Sequence, residues 1–279
     1  MRRRPLSCAA VVLACLPMVM AESGTATNGT APRLTVTEIV GKNVAARGGL
    51  TAWRSVHTLE MKGKMDAGGN NRPTLQISGE KKPTAANLPK RPTEQAQLPF
   101  VMDLERGRKM RLEIQFNGQT AIQVYNGEQG WKLRPFLNRH EVENFTPEEL
   151  KTASTQADLD GLLIDYAAKG SKVELESVDK VEGRDAYNLT VTEKSGFTRH
   201  VWVDAESFLE VKIEGTPRRL DGKYHPVATY LQDYRSVNGL MMPYLMVTAV
   251  DGVQDKERIA IEEIVSNPKL DDSKFAMPR

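Results

Sequence analysis

Cysteine is nearly missing from this chain. Of 279 residues only Cys8 and Cys15 carry a thiol, both among the first 21. With that segment removed, nothing remains to form a disulfide, a thiolate nucleophile or a cysteine metal site. An excess of either charge is missing too: 38 Lys and Arg face 36 Asp and Glu, and loss of Arg2, Arg3 and Arg4 takes the formal +2 to −1. So balanced a chain has no electrostatic footprint for nucleic acid, whose phosphates demand clustered cations. Chemistry-bearing patterns are absent as well. His57, His140, His200 and His225 are scattered without metal-ligand spacing. No His-Glu-x-x-His, phosphate loop or Gly-x-Ser-x-Gly elbow occurs. We therefore expect no catalytic residues, no metal and no cofactor, and a protein that is not an enzyme.

What is present begins with an export signal. Arg2–Arg4 form a basic start, an apolar stretch runs from Ala9 to Met20, and Val19-Met20-Ala21 supplies small residues for cleavage. The stretch falls short of the roughly 20 apolar residues that span a bilayer, so residues 1–21 read as a cleaved signal peptide. Leu13-Ala14-Cys15 offers a rival, a lipoprotein site at which Cys15 would be acylated. An exported domain without cysteine fits a bacterial periplasm, since animal secreted domains are usually disulfide-stapled. Residues 22–32 read as a flexible linker and 33–279 as one domain, because about 255 residues can share a single β-rich core. A Pro-rich loop at 81–99 holds Pro83, Pro89, Pro92 and Pro99 and reads as a mobile excursion.

Local patterns set the architecture. Thr35-Val-Thr-Glu38 is a capping box opening a helix with Ile39, Val40 and Val44 on one face. Gly48-Gly49 stops it, and Leu50–Trp53 adds a short turn that packs Trp53. Period-two strands follow at Leu59–Met65 and Met110–Phe116, with Asn117-Gly118 turning into a return strand through Ile122, Val124 and Tyr125. Thr146-Pro-Glu-Glu149 opens a second helix that reads on through Leu159, Leu162, Leu163 and Tyr166 to Gly170. Asp158 and Asp160 would cap its second half. Strands resume at Val173, Ala186–Val191 and a C-terminal meander, punctuated by Asp221-Gly222, Asn238-Gly239 and Asp251-Gly252. About ten strands result. His200 reads as an ordinary face residue, and Asp271-Asp272 as a solvated turn or cap. Met61, Met65, Met102, Met110, Met241, Met242 and Met246 concentrate in strands and turns. Methionine fills irregular cores and suits surfaces that repack around varied apolar partners.

The pattern resembles the outer-membrane lipoprotein-sorting proteins, a family similar to the periplasmic lipoprotein carrier LolA. The resemblance is carried by Gly48-Gly49 and Trp53, Gly161-Leu-Leu-Ile-Asp-Tyr166, the Val203–Leu209 turn, Asp233-Tyr-Arg, Val237–Pro243, and Asn267 with Asp271–Phe275. It implies an α+β, mainly β fold: an open antiparallel half-barrel whose concave face is covered by N-terminal and mid-chain helices. It also implies a periplasmic lipid- or lipoprotein-binding protein that holds acyl chains in an apolar cavity, in outer-membrane lipoprotein sorting. The family's lid-tethering arginine has no matching position in the sequence, although Arg108 and Arg111 lie in about the right strand. On that fold the expected cavity residues are Met61, Met65, Leu112, Ile114 and Val124, with Val201, Val203, Val211 and Ile213 from later strands. Leu162, Leu163 and Tyr166 would form the lid. Expected partners are an acylated lipoprotein or lipid and an inner- or outer-membrane protein; nucleic acid is not expected, and the chain would be monomeric. The alternative is an envelope sensor or scaffold using the same fold to bind a protein. A polar cleft gathering His140, His200 or His225 with carboxylates would instead point to an envelope hydrolase.

Overall fold

The structure, a computed structural model, describes residues 34–68, 95–135, 139–220 and 222–278. The signal peptide, the linker, Cys15 and residues 81–94 of the Pro-rich loop lie outside the described residues. Residues 34–279 fall into one compact unit.

Local chemistry starts each helix. Helix α1 (Val36–Ala46) opens on a closed capping box, with the Thr35 and Glu38 side chains each accepting from the other's backbone N–H. Ile39 and Val40 are its buried apolar pair. It ends where Gly48 (φ +110°) passes so close to the next layer that a Cβ would lie 2.4 Å from the Gly239 carbonyl oxygen. Helix α2 (Leu50–Arg54) follows and sinks Trp53 to 1% exposure. Helix α3 (Pro147–Gln156) has a second closed capping box, Thr146 with Glu149.

Among the described residues, thirteen strands form one antiparallel sheet. The first six are β1 (Thr58–Gly68), β2 (Gln95–Glu105), β3 (Lys109–Phe116), β4 (Gln119–Tyr125), β5 (Gly130–Arg134) and β6 (Arg139–Asn144). After α3 come β7 (Lys172–Val181), β8 (Arg184–Thr192), β9 (Thr198–Asp204), β10 (Glu210–Leu220), β11 (Lys223–Val237), β12 (Leu240–Val250) and β13 (Glu257–Ser266). Each strand pairs with its chain neighbours, except that β6 and β7, separated by α3, are the two edges and β13 returns to pair with β1. Two meanders are thus joined along one seam, in the order β6 to β1, then β13 to β7. The seam bends at a bulge between Lys62 and Gly63.

The sequence pattern falls short of this in three places. It has no counterpart for β2 and β6. Residues 95–99, assigned to the Pro-rich loop, belong to β2, where Pro99 pairs opposite Lys64. The mid-chain helix stops at Gln156, and residues 159–170 form a run of turns. The reason is local: Gly161 (φ +77°) and Asp165 (φ +55°) adopt left-handed backbone, which an α-helix does not contain.

The core has three parts. The first cluster joins Leu59, Phe100, Leu104, Met110, Leu112, Tyr125, Leu240, Met242, Ile261 and Ile264 of the sheet to Trp53, Ala153, Ala157, Leu159 and Ile164 from the covering segments. The second packs α1 and Leu162–Leu163 onto Val173, Leu189, Val191, Val201 and Val203. A small third cluster, Val181, Ala186 and Val211, lies on the outer face. The C-terminal 3-10 helix (Asp272–Phe275), N-capped by Asp271, straps β2 and β3 on that side. There Lys274 pairs with buried Asp103 at 2.6 Å, and Arg111 Nη1 donates to the Lys274 carbonyl.

Candidate functional site: the covered face and its fastening

Strand alternation gathers methionine on one face. Met110 and Met242 are buried in the first cluster, and Met61, Met65, Met102 and Met246 pack against it half-buried. Registers explain the gathering: Met61 pairs with Met102, Met102 with Leu112, and Met246 with Ile259, all on the face that α2 and α3 cover. Met241 falls outside this cluster. Above them α3 contributes little apolar bulk, with Ala153 its buried residue and Leu150 half-buried.

The expected cavity residues divide into three groups. Met61, Met65, Leu112 and Ile114 meet at the first cluster. Val201 and Val203 are fully buried in the second, with Ile213 beside them. The expected lid residues Leu162 and Leu163 are buried in that second cluster and Tyr166 packs on it, so they do not roof the methionines. Two residues lie on the opposite face. Val124 pairs with Arg111 and Trp131, in the row turned away from Met110 and Leu112. Val211 sits at a bulge between Glu210 and Lys212, which turns it toward Val181 and Ala186. A bulge inserts one unpaired residue and so reverses the face that period-two counting assigns.

Ionic contacts add to the apolar burial that holds the cover down. Arg106 forms a two-pronged bond to Asp160 at 2.8 and 2.9 Å, and donates further to the carbonyls of Trp53 and Val56. Within the connection itself, Lys169 bonds both oxygens of Asp158 and the Gly161 carbonyl and so braces its turns. Arg54 grips Asp165 at 2.6 and 2.7 Å. Asp158 and Asp160, expected as helix caps, do otherwise: Asp160 anchors the connection to Arg106, and Asp158 braces it internally through Lys169 and the Asp160 N–H. Hydrogen bonding from Arg54 holds the Asp165 carboxyl below its usual range, against a smaller opposing effect of burial. Beneath them lies Arg47, which sequence reasoning missed. Buried at the end of α1, it donates to the Asp160 carbonyl at 3.0 Å, pairs with buried Glu210 at 3.3 Å, and stacks 4.2 Å over Trp53. Its only sequence signal is its place before Gly48-Gly49.

The outer face carries a second arrangement. A cleft of about 650 Å³ is lined by His200, Trp202, Glu176, Glu214 and Tyr230 among others. Here His200, expected as an ordinary face residue, is clamped: Nε2 lies 2.9 Å from Glu176, and Nδ1 bonds Glu214. The Glu214 bond raises the His200 pKa, with partial burial opposing. Both ring nitrogens are therefore spent on carboxylates. A general acid–base needs one nitrogen aimed at substrate, so the clamp suits a structural cation. Among the described residues no group of three or more His, Cys, Asp or Glu is placed to hold a metal ion, and no helix is long and apolar enough to cross a membrane.

Neither a protein-family model nor a curated protein matches the chain in sequence. Solved structures do match it in shape. A LolA superfamily protein from Nitrosomonas europaea aligns over 87% of this chain and 98% of its own, at 11% identity and a TM-score of 0.53. A putative outer membrane lipoprotein-sorting protein domain from Vibrio parahaemolyticus covers 85% and 94%, at 13% identity and 0.53. A DUF1329 family protein from Desulfovibrio piger covers 87% and 97%, at 14% identity and 0.53. Identity this low speaks to architecture, and the architecture of this chain is that of a LolA-like open half-barrel.

Proposed function

We propose that the protein is an exported, periplasmic carrier that holds the acyl chains of a lipid or lipid-modified protein against its methionine-rich sheet face. The observation that carries this reading is the gathering of six methionines at one cluster, four of them incompletely buried. Unbranched, polarisable side chains can repack around an acyl chain at little cost in shape complementarity. Each buried CH₂ is worth about 0.8 kcal/mol, so an acyl chain in this layer would be strongly favoured over one in water.

The cover suits entry and release. Because α3 buries chiefly Ala153, lifting it away from the 157–170 connection exposes little apolar surface, and the cost falls on its Glu149–Lys132 ion pair and its Ser154–Arg108 contact. Such pairs can be exchanged for water, which gives a closed and an open state of comparable energy. A second reading, a sensor or scaffold that docks a protein on the same sheet, draws support from how tightly Trp53, Leu59 and Met110 are packed, each 3% exposed or less.

Native mass spectrometry with lipid extraction on protein purified from a bacterial envelope tests the proposal. The expected result is a co-purifying acylated species, displaced by a fluorescent fatty acid. A protein that arrives empty and fails to bind the fluorescent acid overturns it, and the docking reading takes its place.

A further inference from the structure

A second cleft, also of about 650 Å³, opens between α3, the 157–170 connection and the β8–β9 hairpin. Its charges do not balance. Two carboxylates line it, and each already has its own cation: Asp158 is taken by Lys169 at 2.8 Å, and Glu193 by Arg199 at 2.6 Å. Three cations remain. Arg108 touches Ser154 Oγ at 3.2 Å and lies 3.9 Å from Asp158, which Lys169 holds more closely. Lys151 projects over the Phe197 ring at 4.0 Å, and Lys194 has no ion-pair partner among the described residues. Hydroxyls of Ser154, Thr155, Ser171 and Ser195 fill the spaces between them, while Leu162 and Phe197 supply an apolar wall.

The backbone at Arg108 is costly. It holds φ +63° in the β2–β3 turn, where asparagine or glycine would sit without strain, and left-handed backbone costs roughly 1–2 kcal/mol for other residues. A strained cation aimed into a cleft is a reason to look for the anion it serves.

We infer that this cleft seats the phosphate of an acidic amphiphile, with Arg108, Lys151 and Lys194 holding the anion and Leu162 and Phe197 receiving the start of its chain. A guanidinium, two ammonium groups and several hydroxyls match the many acceptor sites of a phosphate. The apolar wall separates this from a site for free phosphate. The inference deepens the carrier reading and rests on it for the acyl part of the ligand.

Isothermal titration with three probes tests it: dihexanoyl phosphatidylglycerol, dihexanoyl phosphatidylcholine and inorganic phosphate. The phosphatidylglycerol should bind at least tenfold tighter than either of the others. Arg108→Glu and Lys194→Glu should each erase that preference, while circular dichroism and melting temperature stay at the wild-type values. Inorganic phosphate binding as tightly as phosphatidylglycerol overturns the amphiphile assignment. If both lipids bind equally and the protein still takes a fluorescent fatty acid, the headgroup inference alone fails. If it takes neither lipid nor fatty acid, the carrier reading falls with it.

Discussion

Arg47 and Glu210, 163 residues apart in sequence, form an ion pair at 3.3 Å with both side chains less than one-tenth exposed. The pair ties the end of α1 to the start of β10, and the second Arg47 contact, to the Asp160 carbonyl, brings in the covering connection. Removing one partner leaves a buried charge unmatched, which costs about 3–5 kcal/mol. Arg47→Met is therefore expected to be strongly destabilised in urea unfolding, and the Arg47→Met/Glu210→Met double variant to be more stable than the single one. A loss below about 1 kcal/mol for Arg47→Met would place the pair among ordinary surface bridges.

Arg106 and Asp160 fasten the cover itself, with the Asp160 carboxylate nearly buried and Arg106 about one-third exposed. Arg106 also satisfies the Trp53 and Val56 carbonyls, so Arg106→Ala removes the grip and leaves two acceptors to water. Amide hydrogen exchange in residues 157–170 is expected to quicken at least tenfold, about 1.4 kcal/mol of local opening energy, with the protection of β8 and β9 unchanged. Under the carrier reading the same variant binds and releases a fluorescent fatty acid faster. Unaltered exchange in that segment would show that apolar burial of Leu162 and Leu163, and not the ion pair, keeps the cover closed.

How much of this was legible depends on distance along the chain. Both capping boxes, Thr35 with Glu38 and Thr146 with Glu149, were readable because partners three residues apart need no tertiary information. The faces of β1 and β3 were readable too, since Leu59, Met61 and Met65, and Met110, Leu112 and Ile114, keep an unbroken period of two. Val211 was misplaced because a bulge leaves no mark in side-chain type. Val124 was misplaced because Ile122, Val124 and Tyr125 put apolar residues on both faces of β4, and only pairing with β3 decides between them. The fastening was out of reach. Arg47, Arg106 and Asp160 are solvated-looking charges until segments 54 to 163 residues away are brought beside them.

His200 gives the fold a pH dependence of defined sign. Its clamp by Glu214 and Glu176 raises the folded-state pKa above the ordinary value of 6.5. The folded protein thus binds this proton more tightly than the unfolded chain does. The clamp's full contribution is present below about pH 6.5 and is lost as pH rises through the raised folded value. Thermal melts of the wild type against His200→Gln should show the wild-type advantage at pH 6 shrinking by pH 8–9, with the variant flat over the same range. A wild-type advantage that grows with pH would mean the ring is neutral in the folded state.

Two glycines separate close packing from helix propensity. Gly63 sits at the β1–β13 bulge, where an added Cβ would lie 2.1 Å from the Ala260 carbonyl oxygen and 2.9 Å from the Ile261 Cα. Both obstacles are backbone, so no rotamer change relieves them and the seam joining the two meanders must spread. Gly41 is exposed in the middle of α1 with nothing within 4 Å of its Cβ position. Gly63→Ala is accordingly expected to lose about 3 kcal/mol, the upper end of ordinary overpacking, and Gly41→Ala to gain about 0.5–1 kcal/mol from helix propensity. Urea midpoints for the two variants should therefore move in opposite directions. If Gly63→Ala unfolds at the wild-type midpoint, β1 and β13 can part without cost at that point, and the sheet would have to be treated as two meanders held together by their covering helices.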